Sequence, residues 1–244
     1  SDADALQWAG SLVGALWAAT ALAFLRALGL KGAALGAATL VVLFSGVMPH
    51  FAGYDKFGPL TLGLALAATG AARSLAGGPP WLLVLGVAVA VLSHRTGLLV
   101  LPLAVVVFAI ALRRGGNARR DAGLALGAIV LAAAFAIPQA LTSVQSIDRA
   151  RHLSSWEPRQ IWDAAQLLWL LCPLWLAGIV AAVTMGPAPA KAEVMPSPRM
   201  ISLVTLAALA PWLALLVAVR GSQGASRDWD MHVPAASLVA LASA

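Results

Sequence analysis

The sequence predicts an all-α, polytopic integral membrane protein, a bundle of about eight to nine transmembrane helices forming a single domain over residues 1–244. Three observations carry that expectation. Of the 244 residues 61% are hydrophobic and only 11% charged, with a mean hydropathy of +0.87, whereas a soluble domain carries about 25% charged and 45–50% apolar residues. The apolar residues come in long runs such as LLVLPLAVVVFAIAL that do not alternate with polar ones, which reads as helix and not as barrel strand. The arginines collect in the breaks between runs. Together these exclude a soluble globular protein, a disordered chain and a disulfide scaffold. The single cysteine, Cys172, closes no internal disulfide and leaves the redox compartment unread.

Charged or Pro/Gly-rich breaks divide the chain into nine runs: 5–25, 32–48, 58–72, 80–93, 96–112, 122–138, 161–184, 200–219 and 233–244. A helix needs about 20 apolar residues to cross a hydrocarbon core of about 30 Å. The third and fourth runs fall short of that and are expected to tilt, kink or re-enter. The last run stops after 12 residues, about 18 Å of helix. The chain also begins at Ser1 without an initiator Met. It is therefore read as a fragment cut at its C-terminal end and at its N-terminal end.

Orientation follows from the basic residues. The tract RRGGNARRD (113–121) holds four Arg in nine residues and is placed in the cytoplasm. Alternation then puts Arg26, Lys31, Arg73, Lys191 and Arg199 on the same side, giving nine basic residues there against two acidic ones, Asp121 and Glu193. The outer side receives seven basic residues, eight acidic residues and all four histidines: His50, His94, His152 and His232. If one of the two short runs failed to cross, every later loop would change side and this segregation would collapse, so either both cross or neither does.

No internal repeat of fixed period stands out, and an inverted-repeat transporter is not signalled. The pairs Gly10/Gly14, Gly32/Gly36 and Gly123/Gly127 have the spacing that lets helices approach closely. In a chain this rich in Gly and Ala they are read as ordinary packing.

The outer face collects four polar clusters. The first is PHFAGYDKFGP (49–59) with His50, Tyr54, Asp55 and Lys56; the second is SHRTG (93–97) with His94 and Arg95. The third is the loop 143–163, and the fourth is RDWDMHVP (227–234), just before the last run. Each has a plain alternative. Asp55 and Lys56 can form a solvated loop pair, and Arg95 can snorkel from a helix end to the interface. Residues 149–163 can form an amphipathic surface segment anchored by Trp156 and Trp162. Arg227 can pair structurally with Asp228 or Asp230. The last cluster is the hardest to treat as surface, because a charge at hydrocarbon depth costs about 2.5–3.5 kcal/mol on insertion scales.

Common soluble chemistries leave no trace. The sequence has no GxxxxGK[ST] loop, no GxGxxG, no HExxH and no GxSxG. Asp228 and Asp230 could offer oxygen ligands to a divalent ion, but two carboxylates alone do not specify a metal, so no metal site and no cofactor are assigned. Nucleic-acid binding has no support, since the basic residues sit in membrane loops.

The pieces GYDKFGP, LSHRTGLLVLPL and RDWDMHVP resemble uncharacterised bacterial members of the GT-C class of glycosyltransferases, multi-spanning enzymes that use sugars linked to polyprenyl phosphate. Gly53 and Tyr54, followed by Asp55 and Lys56, match the first motif of such relatives. His94 and the later Leu101–Pro102 match the second, and Arg227, Asp228, Trp229 and Asp230 match the third. The segment 159–176 is similar to the helix preceding that third motif. The resemblance runs from about Tyr54 to the end, and Arg-Asp-Trp-Asp is its most specific part. The chain departs from the class at its start. The class carries a catalytic acidic residue in the first extracytoplasmic loop, which is expected to lie upstream of Ser1, so neither Asp2 nor Asp4 is assigned as catalytic base.

The resemblance implies transfer of a sugar from a polyprenyl-phosphate carrier to an acceptor on the extracytoplasmic face of a bacterial inner membrane. The implied partners are membrane lipid and the lipid-linked donor. Such chemistry needs a carboxylate for the acceptor proton and cations for the departing phosphate. Arg227 and Arg95 are the expected phosphate ligands, since Arg offers phosphate a bidentate fork that Lys cannot. Asp228 and Asp230 would orient Arg227 or contact sugar hydroxyls. His94, Lys56, Asp55 and Tyr54 complete the expected donor site. Three alternatives stay open: a lipid-linked glycan ligase or polymerase, a transporter or flippase for an anionic lipid or solute, and a structural membrane subunit. A transporter would need polar residues near the bilayer midplane, where the runs hold little beyond Gln166, Thr184 and Thr205.

Overall fold

The computed structural model describes residues 2–52, 57–114, 116–146, 158–173, 198–218 and 232–243. Among these the protein is all-helical, with no strand. The elements are α1 (Asp2–Ala27), α2 (Gly32–Leu43), α3 (Val47–His50), α4 (Phe57–Leu75) and α5 (Trp81–Ser93). A 3-10 helix (Arg95–Val100) then runs directly into α6 (Leu101–Arg114), followed by α7 (Gly116–Ser146), α8 (Pro158–Leu171), α9 (Pro198–Ala218) and α10 (Val233–Ser243).

Among the described residues three stretches are long and apolar enough to cross a membrane: Asp4–Ala27, Arg95–Arg114 and Arg119–Pro138. Five more are apolar but shorter: Gly32–Leu43, Trp81–Ser93, Ile161–Leu171, Leu203–Leu215 and Val233–Ala242. These helices are compatible with an integral membrane protein. Among the described residues three stretches therefore reach full spanning length, against the eight to nine runs expected to cross.

Run 32–48 is not one helix. It breaks at Phe44–Gly46, leaving α2 with 12 residues and α3 with four. Ser45 Oγ donates to Val42 O at 2.6 Å and covers one of the carbonyls freed at the break. Gly46 N–H donates to Leu171 O at 2.6 Å, and a Cβ on Gly46 would stand 2.9 Å from Leu171 Cα. The break is therefore where α8 lies directly against the chain. The described part of run 161–184 ends in α8 at Leu171, two residues before Pro173, as the steric clash of a proline with the preceding turn requires.

Runs 58–72 and 80–93 form an antiparallel hairpin, α4 with α5. Glycines set its closeness. A Cβ on Gly63 would stand 2.6 Å from Ala90 N, one on Gly70 would collide with Leu83 N, and one on Gly86 with Ala67 N. Gly63 and Gly70 are seven residues apart, two helical turns, and so lie on one face of α4. Of the pairs singled out by GxxxG spacing, Gly14 abuts Phe51, but Gly32, Gly36, Gly123 and Gly127 have nothing within 4 Å. The turn after α4 is closed by Gly77, at φ +90, with Gly77 N–H donating to Ser74 O and Gly78 N–H to Arg73 O. This is the left-handed cap that only glycine adopts cheaply.

Helix α4 is the centre of the bundle. At 19 residues it is about 28 Å long, and 15 of its residues are buried. It packs on α1, α5, α6 and α10. Thr69 Oγ1 satisfies itself on Ala65 O at 2.8 Å and reaches Thr20 O of α1 at 3.2 Å. Helix α10 is drawn to α1 by a buried hydrogen bond, Trp17 Nε1–H to Ser237 Oγ, 2.9 Å.

The bundle has two distinct ends. At one, Phe57 at the start of α4 meets His94 after α5. At the other, the Arg114 guanidinium donates to Ser74 O at 2.9 Å and Leu75 O at 2.6 Å, joining the ends of α6 and α4. Arg26 and Arg73 lie at that same basic end, in the last turns of α1 and α4.

Candidate functional site

The histidine end is where chemistry-bearing side chains gather. His94 is in extended conformation, φ −159 and ψ 146, and it interrupts the helix because α5 must give way to the 3-10 turn. The change of direction depends on Gly97. A Cβ there would collide with Ala90 O, and Gly97 N–H donates to His94 O at 2.8 Å. His94 caps the new turn through its own ring: Nδ1 accepts from Thr96 N–H at 3.2 Å and lies 2.8 Å from Thr96 Oγ1. A ring nitrogen that accepts from a backbone N–H carries no proton, so the neutral imidazole here has its hydrogen on Nε2. The Phe57 ring packs against this imidazole with centroids 4.9 Å apart. Arg95, the first residue of the 3-10 helix, is exposed.

Next to this pair lies a buried aromatic layer. His50, at the end of α3, is buried and meets Phe51 edge-on at 5.5 Å. Phe51 packs on Trp17 at 5.7 Å and fills the space left by Gly14, and a Cβ added at Gly58 would come into van der Waals contact with its ring. Two sets of ring contacts therefore lie at this end: His50 with Phe51 and Trp17, and Phe57 with His94. His232, immediately before α10, is also buried, and α10 packs against α3.

Of the residues expected to form the donor site, His94 and Arg95 are therefore found at this end, one packed and partly buried, the other exposed. Tyr54, Asp55, Lys56, Arg227, Asp228 and Asp230 lie outside the described residues. Phe57, which follows the first of those segments, packs on His94, and His232, which follows the second, directly precedes α10. His50 and His232 belong to the outer polar clusters read from the sequence but were not among the residues expected to form the donor site. Their signal was a histidine at the edge of an apolar run, and sequence could not distinguish a solvated imidazole from a buried one.

A dry layer of imidazole and aromatic rings can hold polar groups of a ligand by directed hydrogen bonds that water does not weaken, while an exposed Arg beside it can meet an anion. Among the described residues no group of three His, Cys, Asp or Glu could hold a metal ion. The one cysteine, Cys172, is buried. No family model, no curated protein and no solved structure matches this chain.

Proposed function

We propose that the protein is a membrane glycosyltransferase, moving a sugar from a polyprenyl-phosphate carrier to an acceptor at the extracytoplasmic face of a bacterial inner membrane. The observation that supports this reading is the SHRTG turn, which presents Arg95 beside a packed histidine–aromatic layer at the end of the bundle opposite the arginine-rich loops. In the reaction the acceptor oxygen attacks the anomeric carbon, the bond from that carbon to the carrier phosphate breaks, and the acceptor proton passes to a carboxylate. Arg227 and Arg95 stabilise the charge left on the phosphate. Asp228 and Asp230 orient Arg227 or bind sugar hydroxyls, and His94, Tyr54, Asp55 and Lys56 line the donor site. No residue of this chain is assigned as the base.

The test is donor binding and turnover by the full-length protein in nanodiscs, with a synthetic polyprenyl-phosphate-linked sugar. Arg227→Ala and Arg95→Ala are each expected to weaken donor affinity about tenfold or more, the scale of one charge-assisted hydrogen bond. Unchanged donor affinity in Arg227→Ala would overturn the assignment. Movement of the lipid-linked sugar between leaflets without transfer would replace the enzyme reading with a flippase, and growth of a polymer on the carrier would replace it with a polymerase.

A further inference from the structure

At the basic end a cavity of about 270 Å³ opens between α1, α4, α6, α9 and α10. Fifteen of its sixteen lining residues are apolar, the exception being Thr205. Its lining reaches the C-terminal ends of α1 and α4, at Ala27, Leu28, Leu75 and Ala76. It is smaller than the roughly 300–1,000 Å³ of sites that enclose a whole drug-sized ligand. A single hydrocarbon chain can enter it while a headgroup stays outside.

The described charges at this end of the bundle are almost all of one sign. Arg26, Lys31, Arg73, Arg113, Arg114, Arg119 and Arg120 are all exposed, and Asp121 is the one carboxylate among the described residues of this end. Arg114 is held in place. Two of its N–H groups are committed to Ser74 O and Leu75 O, and Leu75 itself lines the cavity. A guanidinium has five N–H donors, so a cation already fixed at this end keeps donors for a further acceptor. Little side-chain freedom remains to be lost when that acceptor arrives.

We infer that this cavity is a binding site for an anionic phospholipid, with one acyl chain between α1, α4 and α10 and its phosphate at Arg114 and Arg26. The charge at this end selects the headgroup, and the apolar lining accepts the chain. The site is at the opposite end of the bundle from the histidine layer and does not depend on the sugar-transfer reading.

The test uses the full chain in nanodiscs of equal parts phosphatidylglycerol and phosphatidylcholine, extracted into detergent, with co-purifying lipid counted by native mass spectrometry. The wild type is expected to retain phosphatidylglycerol in preference to phosphatidylcholine. Arg114→Gln should lower that preference about fivefold, the effect of one basic residue at an anionic lipid surface. Leu28→Trp and Ala76→Phe, at exposed positions of the lining, should reduce retention of both lipids by filling the space. A monodisperse Leu28→Trp protein with wild-type lipid retention would overturn the proposal. So would equal retention of the two lipids by the wild type, which marks a generic hydrocarbon surface, or no bound lipid at all, which means the space is closed by protein.

Discussion

Helices α4 and α7 reverse the usual relation between hydropathy and burial. Arg119–Pro138 of α7 is one of the three stretches apolar enough to span, yet only 22% of it is buried, and Leu131 and Phe135 are 74% and 65% exposed. Helix α4 is not among those three, carries five Gly and Thr residues facing its neighbours, and is buried almost throughout. In water the most apolar helix goes to the centre. In hydrocarbon no such drive exists between helices, and close packing by small residues with internally bonded hydroxyls decides which helix is central. In a membrane, an apolar but little-buried stretch such as Arg119–Pro138 is then left for the lipid.

Substitutions can test that contrast directly. The largest effect is expected from Gly70→Leu, whose side chain would be driven into the backbone of α5 at Leu83. A loss of about 3 kcal/mol or more should show as failure to purify a monodisperse protein or as a collapse of its thermal transition. Ser237→Ala should cost about 1–3 kcal/mol by stranding the buried Trp17 N–H, read as a lowered midpoint in the same assay. Arg114→Ala, removing the cap on the α4 carbonyls, should cost about 1 kcal/mol. Gly127→Ala on α7 has open space around it and should move stability by no more than about 0.5 kcal/mol. If Gly127→Ala proved as damaging as Gly70→Leu, the Gly127 face of α7 would have a packing partner and the contrast would fail.

The helical runs were legible in the sequence because each is a property of its own residues. The α2–α3 break was not, since it depends on Gly46 meeting Leu171, 125 positions away. Nor were the glycines that matter. The GxxxG search found Gly123/Gly127, which touch nothing, and passed over Gly63 and Gly70, whose spacing is seven. At the histidine end, SHRTG stood out because polar residues interrupt an apolar run, and the turn and exposed Arg95 agree with that. The burial of His50 and His232 comes from neighbours contributed by other helices, so their own surroundings in sequence could not reveal it.

The Trp17–Ser237 hydrogen bond also constrains the order of assembly. Its partners are 220 residues apart, and at synthesis rates of about 5–20 residues per second Trp17 is made roughly 10–40 s before Ser237. Through that interval α1 lacks the group that will accept its indole N–H. The seam between α1 and α10 therefore closes only once α10 has been made, and the polar pairing within it can serve to select α10 from among equally apolar helices.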